Sequence, residues 1–263
     1  MDSSLVTFGC SWMWGHGLCY TPGQPREQFN TQRHSEYFTK YSYRHLLSEK
    51  LNKTNINFSI NGSSNQKQFR LATEFFNTSP PSKDSIVLWG ITSTARDEIY
   101  YNSRNSYVSR VWGHGYSADN QQRKNNFDSK THLLLHYNHS VVLKELSSQM
   151  LHWNTYFDAL GIQNYWVDLF NHHIYPTHIP RLLFSDRPHR DLCSILSTHH
   201  GYTPTNDTYH VSQYQKTDSR RIQYLEQHKH INPHSFHPTR QSHSFFADLL
   251  HQEIDKSLNP CYN

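Results

Sequence analysis

Three apolar runs in the first part of the chain each break at a turn that contains a glycine and hydroxyl or amide residues. The first is Leu5-Val6-Thr7-Phe8, ending in Gly9-Cys10-Ser11. The second is Ile56-Asn57-Phe58-Ser59-Ile60, ending in Asn61-Gly62-Ser63-Ser64-Asn65. The third is Ser85-Ile86-Val87-Leu88-Trp89, ending in Gly90-Ile91-Thr92-Ser93. Short apolar or alternating runs bounded by turn residues read as strands. Strands that alternate with helical segments lead to a parallel sheet with right-handed crossovers. The third run is the most apolar and suits a central parallel strand. In an open sheet of this kind ligands bind beyond the carboxyl ends of the strands. Those ends are where the glycine turns lie, and Ser11 is the candidate nucleophile among them; read alone, a serine there is also an ordinary turn or capping residue.

Helical spacing fills the intervals. Tyr43, Leu46, Leu47 and Leu51 predict a first helix of about three turns, and Phe69, Ala72, Phe75 and Phe76 a second, closed by Pro80-Pro81. Leu143, Leu146, Met150, Trp153, Phe157 and Leu160 form a long apolar stripe that Gly161 stops. Leu133 to Leu135 extend it at the front in this reading, and its early turns either overhang the sheet or meet a partner subunit. Tyr165 to Phe170 make a fourth strand. Thr239 is the expected N-cap of a last helix carrying Phe245, Phe246, Leu249, Leu250 and Ile254. Residues 16–41 are polar and broken by glycine and proline. Residues 97–130 read as a surface excursion, and 171–230 as a lid-like insertion or a set of surface loops. The expected architecture is α/β: a three-layer α/β/α sandwich with a central parallel sheet of the flavodoxin-like kind, in one domain over 1–263 with insertions at about 97–130 and 171–230.

The chain's 263 residues suit one such domain, and although only 35% are hydrophobic, 14% are aromatic, enough for an aromatic-rich core. The net charge of +4 is scattered, which argues against a nucleic-acid partner. No apolar span or secretory leader is visible, so no membrane partner and a cytoplasmic location are expected. The 4 cysteines have no C-x-x-C spacing, and the 21 histidines contain no H-E-x-x-H motif. Neither a metal nor another cofactor is expected. Trp12, Trp14 and Trp112-Gly113-His114 line a cleft or simply pack. Arg96 meets an acidic substrate or a surface carboxylate.

The turn residues, with His237-Pro238 ahead of the last helix, resemble the blocks of the SGNH (GDSL-type) hydrolase superfamily. The chain is most similar to a branch often encoded by tailed phages, whose first block reads F-G-C-S-x-x-x-G. The resemblance runs from Val6 to about Leu250, apart from the two insertions. It implies Ser11 as nucleophile and His237 as its base, with oxyanion donors at the Ser11 N–H, the Gly62 N–H and position 92. Position 92 ordinarily carries Asn after Gly-x and here carries Thr92. The aspartate expected three or two residues before the histidine is replaced by His234 and Ser235, which become the candidate orienters of His237. A backbone carbonyl, or Asp168 or Asp191 reached through the fold, is another. His243 completes the branch's H-P-x-x-x-x-H pattern.

Serine is a poor nucleophile until an imidazole takes its proton, and the tetrahedral oxyanion requires fixed donors. The implied activity is that of a serine esterase removing an O-acyl group, such as acetyl, from a carbohydrate or small ester. The alternative is a catalytically weakened or inactive relative acting as a glycan-binding or phage virion-associated structural protein. Homo-oligomer or virion partners, and host cytoplasm or virion as location, follow from that branch.

Overall fold

The structure, a computed structural model, describes residues 3–18, 37–94, 96–101, 106–111, 138–169, 173–188, 190–202, 224–231 and 237–259. In chain order the elements are β1 (Ser4–Phe8), α1 (Ser11–Trp14), α2 (Tyr37–Lys40), α3 (Tyr43–Lys50), β2 (Thr54–Asn57), α4 (Asn65–Thr78) and β3 (Ile86–Ile91). They continue with β4 (Arg96–Tyr101), β5 (Ser106–Val111), α5 (His139–Leu160), β6 (Gln163–Asp168), α6 (Leu192–His199) and α7 (Arg240–Leu258).

β1, β2, β3 and β6 form one parallel sheet in the order β2-β1-β3-β6. β1 is wholly buried, as are β3 and most of β6. Alternation along these strands divides the core into two layers. Leu5, Ile86, Leu88, Tyr165 and Val167 face α3, α6 and α7, where they meet Tyr43, Leu47, Leu196, Phe246 and Leu250. Val6, Phe8, Val87, Trp89 and Trp166 face the opposite way, onto Ala72 and Phe76 of α4 and Leu146, Met150 and Phe157 of α5. The result is the expected α/β/α sandwich. Phe8, Trp89 and Trp166 stack in succession across three strands, with ring centroids 4.5 and 4.9 Å apart.

That aromatic layer carries two indole N–H groups into the core, and each has an acceptor. Trp89 donates to Asn164 at 2.6 Å, while Asn164 and Trp166 both donate to Asn154 Oδ1 at 2.6 and 2.9 Å. Asn154 Nδ2 closes the network on the Pro180 carbonyl at 3.2 Å.

Several element boundaries differ from the sequence expectations. β2 stops at Asn57 rather than running through Ile60, because the Asn57 carboxamide accepts the Ser59 N–H at 2.9 Å and bends the chain. Single bonds from Phe58 N–H to Thr7 and Ile60 N–H to Gly9 keep the bent segment against β1. Gly90 lies inside β3 instead of starting its turn; a Cβ there would come within 2.9–3.0 Å of Leu169 and Met13. α3 spans 8 residues, two turns rather than three. Part of the expected excursion at 97–130 is the antiparallel β4–β5 hairpin, and the expected front extension at 133–135 lies outside the described residues. The largest correction is α6: residues 192–199, expected among surface loops, form a helix with Leu192, Cys193, Ile195 and Leu196 in the core.

Candidate active site

β1 connects to β2 on one side and, later, β3 lies on its other side, so the strand order reverses at the β1/β3 boundary. In doubly wound sheets a crevice opens at that point. Ser11 follows β1 there, and Thr92 follows β3.

Ser11 starts α1, a single turn closed by Trp14 N–H to the Cys10 carbonyl at 2.9 Å and capped by Gly15 at φ 100°. A turn this tight against the strand end has no room for a side chain at position 9, where a Cβ would sit 2.7 Å from Met13 Cβ. Ser11 itself is only 2% exposed. Its Oγ lies 2.6 Å from His237 Nε2, across 226 residues of sequence.

His237 reaches that position from a short two-stranded bridge. Pro238 pairs with Ile231, the Thr239 N–H donates to the His230 carbonyl at 3.0 Å, and the Ser242 hydroxyl donates to the same carbonyl at 2.7 Å. Thr239 is the N-cap of α7 as expected, although its hydroxyl donates to the Lys229 carbonyl instead of capping. The backbone of His237 and Pro238 rests on Gly17. A Cβ at that glycine would sit 2.2 Å from the Pro238 carbonyl oxygen and 2.9 Å from that of His237. Gly17 therefore fixes how closely the imidazole approaches the Ser11 turn.

The turn after β2 is closed by Ser63 N–H to the Ile60 carbonyl at 3.1 Å, with Gly62 at φ 75° and nothing within 4 Å of where its Cβ would be. Left-handed φ and an open face are conditions glycine meets without strain. The turn after β3 is held by Asn65, the first residue of α4. Its carboxamide accepts the Thr92 N–H at 3.0 Å and donates to the Thr92 carbonyl at 3.1 Å. Thr92 is fully buried, and its hydroxyl has no hydrogen-bond partner in the structure. Buried hydroxyls are rarely left unpaired without a reason.

The carboxylates considered for orienting His237 have other partners. Asp168, at the end of β6, accepts from the Tyr175 hydroxyl at 2.7 Å, from Arg190 Nε at 3.3 Å and from the His173 N–H at 3.4 Å. Burial raises its pKa to about 6, against the opposing pull of Tyr175 and Arg190. His173 contacts the Thr92 carbonyl through Nε2 at 3.2 Å and is held down to about 4, chiefly by burial. Asp191 is the N-cap of α6, accepting from the Ser194 N–H at 2.9 Å and from its hydroxyl. His234 and Ser235 lie outside the described residues.

His243 is structural. Its Nδ1 accepts the Tyr43 N–H at 3.0 Å, at the start of α3 where Ser42 provides no side-chain cap, and burial lowers its pKa to about 3. Trp12 packs on Phe246 and Trp14 on Phe38, while Trp112, Gly113 and His114 fall outside the described residues. Arg96 donates to the Ser63 carbonyl at 3.5 Å. One neighbour escapes the motif reading altogether: the ring of His16 lies 4.5 Å from that of His237. A lone histidine after a glycine in a polar stretch carries no periodic signal that would have singled it out. Among the described residues, no group of three or more His, Cys, Asp or Glu side chains is arranged to hold a metal ion, and no helix is long and apolar enough to cross a membrane.

No family model matches the chain. No curated protein matches its sequence. Among solved structures, the chain is similar to a psychrotrophic esterase from Pseudoalteromonas sp. inhibited by monoethylphosphonate (13% identity, 98% of this chain and 100% of that one, TM-score 0.44). It is also similar to a carbohydrate esterase (8% identity, 97% of this chain, TM-score 0.46) and to an acetyl xylan esterase from the rumen bacterium Butyrivibrio proteoclasticus (10% identity, 98% of this chain, TM-score 0.43). The chain spans 65% and 64% of the latter two. Scores this low do not establish a shared fold, so the α/β class rests on the strand order described above.

Proposed function

We propose that the protein is a serine hydrolase acting on carboxylic esters, with Ser11 as nucleophile and His237 as general base. The observation that carries this reading is the 2.6 Å contact between Ser11 Oγ and His237 Nε2 at the reversal point of the sheet. With the imidazole proton on Nδ1, Nε2 accepts the serine hydroxyl proton. The Ser11 oxygen then bonds to the carbonyl carbon of the ester, and the carbonyl electron pair moves onto oxygen. The N–H groups of Ser11 and Gly62 and the hydroxyl of Thr92 are the donors for that oxyanion. Collapse breaks the bond to the alcohol, which leaves with the proton from His237. Water then attacks the acyl-serine, giving its proton to His237; the acid departs and Ser11 is reprotonated. An O-acyl group, such as acetyl, on a carbohydrate or another small alcohol is the proposed substrate class.

The test is turnover of an aryl acetate by the full chain beside Ser11→Ala and His237→Ala. Turnover that falls to background in both variants is the expected result; equal rates in wild type and Ser11→Ala reject the reading.

A second reading draws on a separate observation. The aspartate that the resemblance leads one to expect is replaced by His234, while Asp168 and Asp191 are bonded elsewhere. Without a carboxylate behind the histidine a comparable triad loses about 10⁴ in rate. The protein would then be a glycan-binding or virion-associated descendant of the enzyme. Binding of an acetylated glycan that is unaffected by Ser11→Ala, with no release of acetate, would favour it.

A further inference from the structure

His16 belongs to the same turn as Ser11. Its N–H donates to the Ser11 carbonyl at 3.1 Å, beside the Gly15 bond to that same oxygen, so the backbones of the two residues move together. From this anchor the His16 side chain extends to the other partner of the pair. Its ring and that of His237 have centroids 4.5 Å apart and planes inclined at 54°. His16 also meets the turn that carries Gly62: Asn61 Nδ2 lies 3.4 Å from His16 Nδ1. His16 thus joins, through one half-buried imidazole, the turns after β1 and β2 and the histidine before α7.

His237 is neutral before the serine proton moves and cationic afterwards. A cationic side chain beside it would oppose that change. The tilt and separation also limit how far the His237 ring can swing from Ser11.

We propose that His16 is a positioning residue for His237: an imidazole in contact with Asn61 that packs on the base and restrains it beside Ser11. This deepens the serine hydrolase reading and rests on it.

The experiment measures kcat and KM for an aryl acetate, and the rate of Ser11 modification by a small aryl phosphonate, in the full-length wild type, His16→Ala, His16→Phe and His16→Lys. Loss of the ring that holds the base in place is expected to cost roughly 3- to 30-fold in rate. His16→Ala is expected to lower kcat and the modification rate by that factor with KM nearly unchanged. His16→Phe, which keeps a ring, is expected to recover most of it. His16→Lys is expected to be slower than His16→Ala. A reactive wild type beside an equally reactive His16→Ala overturns this inference alone, as does a His16→Phe no faster than His16→Ala. A folded wild type showing neither turnover nor modification overturns the hydrolase reading and this inference with it.

Discussion

Gly17→Ala adds a single methyl group and tests how the two halves of the site are held at their distance. The new Cβ would lie 2.2 Å from the Pro238 carbonyl oxygen, against an ordinary contact of at least 3.4 Å, so more than 1 Å must be found. The three nearest atoms, the Pro238 carbonyl oxygen and the His237 carbonyl oxygen and carbon, are all backbone, and no side chain can rotate aside. The Gly17 turn is tied to Ser11 through the α1 cap, and Pro238 to Ile231 through its bridge. The two segments can only move apart, which carries His237 away from Ser11. A misplacement of this size costs about 10²-fold in rate, and overpacking of this kind costs about 1–3 kcal/mol in stability. Steady-state hydrolysis of an aryl acetate should show kcat down by about two orders of magnitude, with KM little changed. Urea denaturation should show a cooperative fold that is modestly weaker. Gly161→Ala is the control: its Cβ meets nothing within 4 Å, its φ is 69°, and it caps α5. It should cost about 1 kcal/mol in stability and leave kcat alone. A Gly17→Ala protein with wild-type kcat would refute the argument that this close approach sets the Ser11–His237 distance.

Thr92→Val removes the buried, unpartnered hydroxyl while keeping the shape of the side chain. Loss of one oxyanion donor predicts a fall in kcat of about 10²–10³, with thermal stability unchanged or slightly raised; an unaltered kcat would remove Thr92 from the mechanism. Asn154→Ala strands the Trp166 indole, the Asn164 amide and the Pro180 carbonyl. At about 1–3 kcal/mol for each buried group left unpaired, urea denaturation should register a loss of about 3 kcal/mol or more. Stability should also rise with pH from about 4 to 6.5. His243 and His173 are held down to about 3 and about 4 by burial, against 6.5 when unfolded, so in that window the unfolded chain binds protons that the folded one does not. Asp168, raised to about 6 from 3.8, opposes them, because its contribution declines as pH rises through 6. Urea midpoints between pH 4 and 7 test the sum, and His243→Asn, which keeps an acceptor for the Tyr43 N–H, should flatten the slope.

The parts of this fold visible in the sequence are those where one residue type answers one local demand. Gly9 permits the turn to close on Met13, alternation in β1 and β3 sorts the two core layers, and Gly161 ends α5 in the left-handed conformation. The pairing of Ser11 with His237 was legible for a related reason: both sit at element ends whose order along the chain defines the crevice. What stayed hidden depends on contacts between distant segments. α6 is buried all round, with Leu192, Cys193, Ser194, Ile195, Leu196 and Ser197 inaccessible, so it shows no amphipathic period to read. Gly90 reads as a turn because a sequence cannot show that Leu169 and Met13 crowd a straight strand. His243 could be placed by its spacing from His237, but not recognised as the acceptor for an N–H 200 residues away.

The most direct measurement of the central claim is the mass of the intact protein after exposure to an aryl phosphonate, with the adduct mapped by peptide sequencing. Reaction with Ser11 requires a serine activated by its neighbouring imidazole. The account predicts one adduct per chain, on Ser11, absent from Ser11→Ala and formed far more slowly in His237→Ala. A folded wild-type protein that remains unmodified, or that reacts equally fast without His237, would contradict it.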